Sequence, residues 1–267
     1  MAVLLRVFSC DILVNMFIET ITSNPEVTML KIVGLTKTYG EKKAADNINL
    51  HINKGEIYGF IGHNGAGKTT TIKAVCGILQ FDEGEIYIDG VSIKNDPVKC
   101  KSKLAYIPDN PDLYDFMTGI QYLNFVGDVF EVGADKRKAL IKKYSDIFEM
   151  TENLSQLISS YSHGMKQKLA IIAAFIHEPK LIIMDEPFVG LDPKASYTLK
   201  QMMREVCDNG GAIFFSTHVL EVAEKLCDNI AIIKNGQIIK CGTMEQVKGD
   251  ASLENVFLEM EVETNNA

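Results

Sequence analysis

The sequence predicts an α/β fold with a parallel core sheet, a small antiparallel β layer and an inserted helical subdomain. Three observations carry that expectation. An apolar run, Ile57-Tyr58-Gly59-Phe60-Ile61, passes into a glycine-rich loop and then into a helical stretch from Thr69 to Gly77. Short strand-like runs separated by turns lie between Lys31 and Ile88. After residue 180, apolar strands alternate with helical periods, the pattern of a parallel sheet covered by helices.

In chain order, Lys31–Val33, Ile48–Ile52, Ile57–Ile61 and Glu85–Ile88 read as strands, punctuated by Asn53-Lys54-Gly55 and Asp89-Gly90. From about Asp96 to Ile176 the pattern is helical and polar, clearest over Ile120–Phe130, Asp135–Glu149 and Met165–Ile176. This stretch, 96–176, is the expected helical subdomain. Strands at Leu181–Met184, Ala212–Ser216 and Ile230–Ile233 then alternate with helices at Lys194–Asp208 and Leu220–Leu226. Asn235-Gly236 is the turn dipeptide of a final hairpin.

A chain of 267 residues with 46% hydrophobic content can bury one large core, with or without a satellite subdomain. Its formal net charge of -8 argues against a broad basic face for nucleic acid. The six cysteines, at 10, 76, 100, 207, 227 and 241, form no C-x-x-C pair, which points to reduced thiols of a cytosolic protein and to no structural metal. No run reaches the ~18 apolar residues of a membrane span, so the chain is expected to be soluble. Met1 to Thr22 is apolar but broken by Arg6, Asp11 and Asn15, without a small-residue cleavage site. Residues 1–28 therefore read as an N-terminal extension to a body at 29–267, with an interfacial membrane-contacting helix as the other reading.

The glycine-rich loop is Gly62-His63-Asn64-Gly65-Ala66-Gly67-Lys68-Thr69. Two glycines, a lysine and a hydroxyl at this spacing build a backbone cradle for a nucleoside triphosphate, the mark of a P-loop NTPase. Gly62, Asn64, Gly65, Gly67 and Thr70 would contact the nucleotide, Lys68 would reach its β and γ phosphates, and Thr69 would offer a hydroxyl to Mg²⁺. Leu181 to Glu186 reads as a buried strand ending in two acids whose side chains alternate in direction. Asp185 would hold Mg²⁺ and Glu186 would polarise the attacking water. Between these motifs, Tyr161-Ser162-His163-Gly164-Met165 starts a helix with an exposed Ser and Gly, either an ordinary cap or a second phosphate-binding device. A domain whose own cradle already holds phosphates has no use for the second at its own nucleotide.

In this order the residues resemble the ATP-binding subunit of ATP-binding cassette (ABC) transporters, from about Leu30 to Met260. The resemblance rests on Tyr39, Gly62 to Thr69, Pro108-Asp109, Tyr161 to Met165, Asp185 with Glu186, Gly190-Leu191-Asp192 and His218. It implies that Tyr39 stacks on adenine, that His218 contacts the γ phosphate, and that Asp192 helps couple two nucleotide sites. Asp192 before Pro193 also reads as a plain helix cap. The resemblance further implies head-to-tail closure of two subunits, homodimeric or heterodimeric, with Ser162 and Gly164 sealing ATP held by the partner's loop. Transport would run through separate transmembrane permease subunits, placing this chain peripherally on the cytoplasmic face of the membrane. The Pro-Asp loop, the segment Gly164 to Lys168 and the tail Leu253 to Leu258 look most like stand-alone ATPase subunits of bacterial-type exporters. The rival reading is a soluble ATPase of the same superfamily acting in DNA repair or translation, for which the chain lacks tandem cassettes and basic arms. Two departures stand out: Tyr161, His163 and Met165 replace Leu, Gly and Gln of the family signature, and Asp109 replaces a glutamine. Asp109 either remains an oxygen ligand for Mg²⁺ or is an ordinary loop carboxylate.

Overall fold

The computed structural model describes residues 27–258. The apolar segment Met1 to Thr22, and the interfacial helix it could form, lie outside the described residues. Thr28, assigned by the sequence to the extension, belongs to the first strand, where it stands opposite Asn53.

Two sheets form the frame. Strands β1 (Thr28–Tyr39), β2 (Lys42–Asn53), β4 (Glu83–Ile88) and β5 (Val91–Ser92) make an antiparallel layer in the order β2-β1-β4-β5. The six-stranded sheet, ordered β10-β9-β3-β8-β7-β6, contains β3 (Ile57–Ile61), β6 (Leu104–Ile107), β7 (Leu181–Asp185), β8 (Ala212–Thr217), β9 (Asn229–Lys234) and β10 (Gln237–Thr243). Its pairings are parallel except at β10, which joins β9 through the Asn235-Gly236 hairpin.

The period of two along the central strands sorts their side chains into two cores. Ile57 and Ile61 of β3, Ile182 and Met184 of β7, and Ile213 and Phe215 of β8 pack toward the helices. Tyr58 and Phe60, Leu181 and Ile183, and Ala212 and Phe214 pack toward the antiparallel layer and helix α1 (Lys68–Val75). Both faces are covered, so these strands read as continuous apolar runs rather than alternating ones.

The remaining helices are α2 (Pro97–Lys101), α3 (Gly119–Val129), α4 (Ala134–Ile147), α5 (His163–Phe175), α6 (Pro193–Asp208), α7 (Leu220–Leu226) and α8 (Met244–Lys248). Thr118 and Gln121 close a reciprocal capping box at the start of α3. A last helical stretch covers 253–258, with Leu253 and Val256 buried.

One element departs from the sequence reading. Leu104–Ile107, inside the stretch expected to be helical, is strand β6 and pairs in parallel with β7. A four-residue apolar run is too short for periodicity to separate strand from helix, and its partner lies more than 70 residues further along the chain.

Candidate active site

Because β3, β6, β7 and β8 run parallel, their carboxyl ends meet on one edge of the sheet. Ile61 is level with Thr217, Asp185 with Ser216, and Ile107 with Met184. The loops that begin at Gly62, Pro108, Glu186 and His218 therefore start side by side, where ligands of open α/β sheets bind.

The loops after β3, β6 and β7, with the end of β1, frame a cleft of about 520 Å³. Tyr39, Asn64, Gly65, Gly67, Lys68, Thr69, Thr70, Asp109, Asp185 and Glu186 all line it. Tyr39 stands at the end of β1 with 52% of its surface exposed. Asp109 is exposed on the loop after β6.

Backbone geometry makes the cradle. Gly67 caps α1 at φ +113, and a Cβ there would fall 2.2 Å from the Ala44 carbonyl oxygen. Gly65, at φ +81, also takes a conformation that L side chains rarely adopt. No side chain caps α1 and no acid occupies its first turn, leaving its amide groups and dipole for an anion.

Lys68 is buried beneath this cradle. Its Nζ donates to the carbonyls of Gly62 at 2.5 Å and His63 at 3.2 Å. It also lies 3.4 Å from Glu186 Oε1. Thr69 Oγ1 donates to Asp185 Oδ2 at 2.6 Å, and the other Asp185 oxygen accepts from Ser216 Oγ.

The two acids diverge through a turn, not through strand alternation. β7 stops at Asp185, and Glu186 takes φ +48, a left-handed conformation uncommon for a side-chain-bearing residue. Its backbone amide donates to Ser216 Oγ at 3.2 Å, and its Oε1 lies 2.9 Å from His218 Nδ1. A single buried serine on the neighbouring strand thus holds both acids. Sequence alone does not single out Ser216, because a lone serine at a strand end carries no signal without its cross-strand partners.

Of the residues expected at the site, Gly62 and His218 stand just behind the lining, on Lys68 and Glu186 respectively, and Ser162, Gly164 and Asp192 do not line this cleft. Ser162 caps α5, accepting from the Met165 amide at 3.3 Å. Gly164 presses against the next turn, where a Cβ would come within 2.8 Å of the Gly190 carbonyl oxygen. Asp192 caps α6, accepting from the Ala195 amide at 2.8 Å, and pairs with Lys168 Nζ at 2.7 Å. The Lys168 hydrogen bond, with the amides at the start of α6, holds the Asp192 carboxyl below its ordinary value.

The unusual signature residues have structural accounts. Tyr161 is buried and donates its hydroxyl to the Asn153 carbonyl at 2.7 Å. His163 covers Gly190, where a Cβ would fall 2.5 Å from its ring. Met165 packs against the edge of the helical core.

The cleft thus presents a cationic, amide-lined cradle facing three carboxylates, the arrangement of a P-loop nucleoside triphosphatase. The oxygens of Thr69, Asp185 and Asp109 are hard donors and fit Mg²⁺. The protein-family model described as ABC transporter matches residues 45–189. Among curated relatives, the ABC-type transporter ATP-binding protein EcsA of Bacillus subtilis is 33% identical, covering 88% of this chain and 97% of that protein. The linearmycin resistance ATP-binding protein LnrL of the same organism is 34% identical, over 80% of this chain and 69% of that protein. A solved ATP binding subunit of an ABC transporter superposes with a TM-score of 0.84 at 33% identity, covering 88% of this chain and 100% of that one. The cbiO1 protein of Clostridium perfringens superposes with a TM-score of 0.72 at 25% identity, covering 88% and 100%. The chain belongs to the ABC transporter family and is an ATP-binding, ATP-hydrolysing subunit of it.

Proposed function

We propose that this ATPase drives transport through separate transmembrane permease subunits by closing on ATP against a second ABC subunit, identical or related. The observation that carries the reading is the placement of Glu186, between the Lys68 ammonium and the His218 ring at the mouth of the phosphate cradle. A carboxylate there orients and polarises water toward the γ phosphate while Lys68 and the α1 amides hold the phosphate oxygens. His218 fixes the direction of the Glu186 carboxylate and reaches the same phosphate. Thr69 and Asp185, with Asp109 at the rim, would hold Mg²⁺, which neutralises charge on the phosphate oxygens when bound.

Closure is supported by what the chain leaves exposed. Ser162 is exposed and caps a helix whose first turn has no acid, with Gly164, half-buried, inside that turn. Val189 and Val219, each 42% exposed, flank Glu186 and His218 and suit burial against a second subunit. In this reading Ser162 and Gly164 seal ATP held by the partner's Lys68, and Asp192 links the two sites.

No helix among the described residues is long and apolar enough to cross a membrane. The groove of about 360 Å³ between the Pro108–Leu113 loop and helices α3 and α5 suits an apolar helix of a membrane subunit. Exposed Tyr114 meets Tyr122 of this groove edge to face, and exposed Phe116 stacks on Tyr114. Docking there puts the chain peripherally on the cytoplasmic face of the membrane. We assign export as the direction, on the likeness of the Pro-Asp loop, the segment Gly164 to Lys168 and the C-terminal stretch to exporter ATPases. LnrL, named for linearmycin resistance, accords with it. The charge of -8 argues against a broad basic face for nucleic acid.

The test is Glu186→Gln. It should lower phosphate release at least ~100-fold while ATP affinity is kept, and ATP should then hold a dimer through size-exclusion chromatography. Turnover at the wild-type rate would overturn the assignment.

A further inference from the structure

We propose that Phe257, near the C-terminus, is a positioning residue for the phosphate loop and acts through His63. The proposal rests on the reading that this loop holds ATP.

The two rings meet with centroids 4.9 Å apart and planes inclined at 57°. Nearly 200 residues separate them in sequence, so the contact is purely tertiary. The stretch that carries Phe257 is firmly seated. Leu253 and Val256 are buried in the helical core beside Val247, the Leu253 amide donates to Glu224 Oε2 at 3.3 Å, and Glu224 also pairs with Lys248. Ser252 Oγ caps the stretch by accepting from the Asn255 amide at 3.2 Å.

His63 is a point of leverage on the loop. Its carbonyl accepts both from Lys68 Nζ at 3.2 Å and from the Ala66 amide at 3.1 Å. The direction of that carbonyl therefore sets where the lysine sits and how the loop turns. Between glycines at 62, 65 and 67 the backbone has much freedom to lose on closing around phosphate. Holding the His63 ring removes part of that freedom before ATP arrives, which strengthens binding without adding a contact to the nucleotide. Affinity for ATP is thereby made to depend on how the C-terminal stretch docks.

The experiment uses the full chain and trinitrophenyl-ATP as the binding probe. An aromatic pair of this kind predicts that Phe257→Ala raises Kd for the probe, and KM for ATP, about three- to tenfold. The turnover number at saturating ATP should stay within about twofold, since the reacting groups are untouched. Phe257→Tyr, which keeps the ring, should bind as wild type. If the alanine variant fails to fold, Phe257→Leu carries the same expectation of weakened binding. In a double-mutant cycle with His63→Ala, the combined variant should bind no more weakly than the worse single variant. Folded Phe257→Ala or Phe257→Leu protein with wild-type Kd, or strictly additive losses in the cycle, would overturn the proposal. The underlying reading fails differently, with wild-type protein that does not bind the probe at all.

Discussion

At the scale of single residues, the chemistry depends on a buried cation. Lys68 is 5% exposed and surrounded by two carbonyls and the Glu186 carboxylate, so its charge is compensated before any phosphate arrives. In the proposed mechanism it exchanges these partners for phosphate oxygens, and charge-assisted bonds of that kind contribute about 1.5 to 3 kcal/mol each. Lys68→Ala should therefore weaken ATP binding at least tenfold in an equilibrium titration, whereas Glu186→Gln should not. The pair of results separates holding the nucleotide from splitting it. The left-handed turn at Glu186 belongs to the same scale: it costs local backbone energy and is held by the Ser216 bonds to the Glu186 amide.

At the scale of elements, the two helix starts beside the exposed face are tied together. Asp192 caps α6 and also pairs with Lys168 of α5, while Gly164 and His163 lie against Gly190. A movement of the signature helix would be felt directly by the Asp192 turn. The cap should contribute about 1 kcal/mol and the ion pair, with Asp192 half exposed, much less. Asp192→Ala should lower stability toward urea by about 1 kcal/mol, and Asp192→Asn, which keeps the cap but not the charge, should recover most of it. Equal losses in the two variants would assign the stabilisation to the ion pair.

At the scale of the whole molecule, the antiparallel layer is pinned to the base of the parallel sheet by one carboxylate. Asp89, in the β4–β5 turn, lies 3.0 Å from Lys54, 2.6 Å from Lys103 and 3.7 Å from Lys180. Burial pushes its pKa up, but the hydrogen bonds and charges of Lys103 and Lys54 outweigh that and hold it at about 2. A carboxyl depressed in the folded state stabilises the protein above its unfolded pKa of about 3.9 and loses that contribution as pH falls through about 2. The stability advantage of wild type over Asp89→Asn should thus be constant above pH 5 and shrink between pH 4 and pH 2. Urea midpoints measured across that range would show it.

The parts legible in the sequence are those whose geometry is local. A phosphate cradle is one continuous turn between a strand and a helix, so Gly62 to Thr70 could be read directly, as could the apolar strand ending in Asp185 and the Ser and Asp caps of α5 and α6. Tertiary structure decided the rest. The insertion of β6 beside β7, the cross-strand hold of Ser216 on both acids and the meeting of Phe257 with His63 all join residues distant along the chain. Register between strands and packing between layers set those distances, and neither is written in any one stretch of sequence.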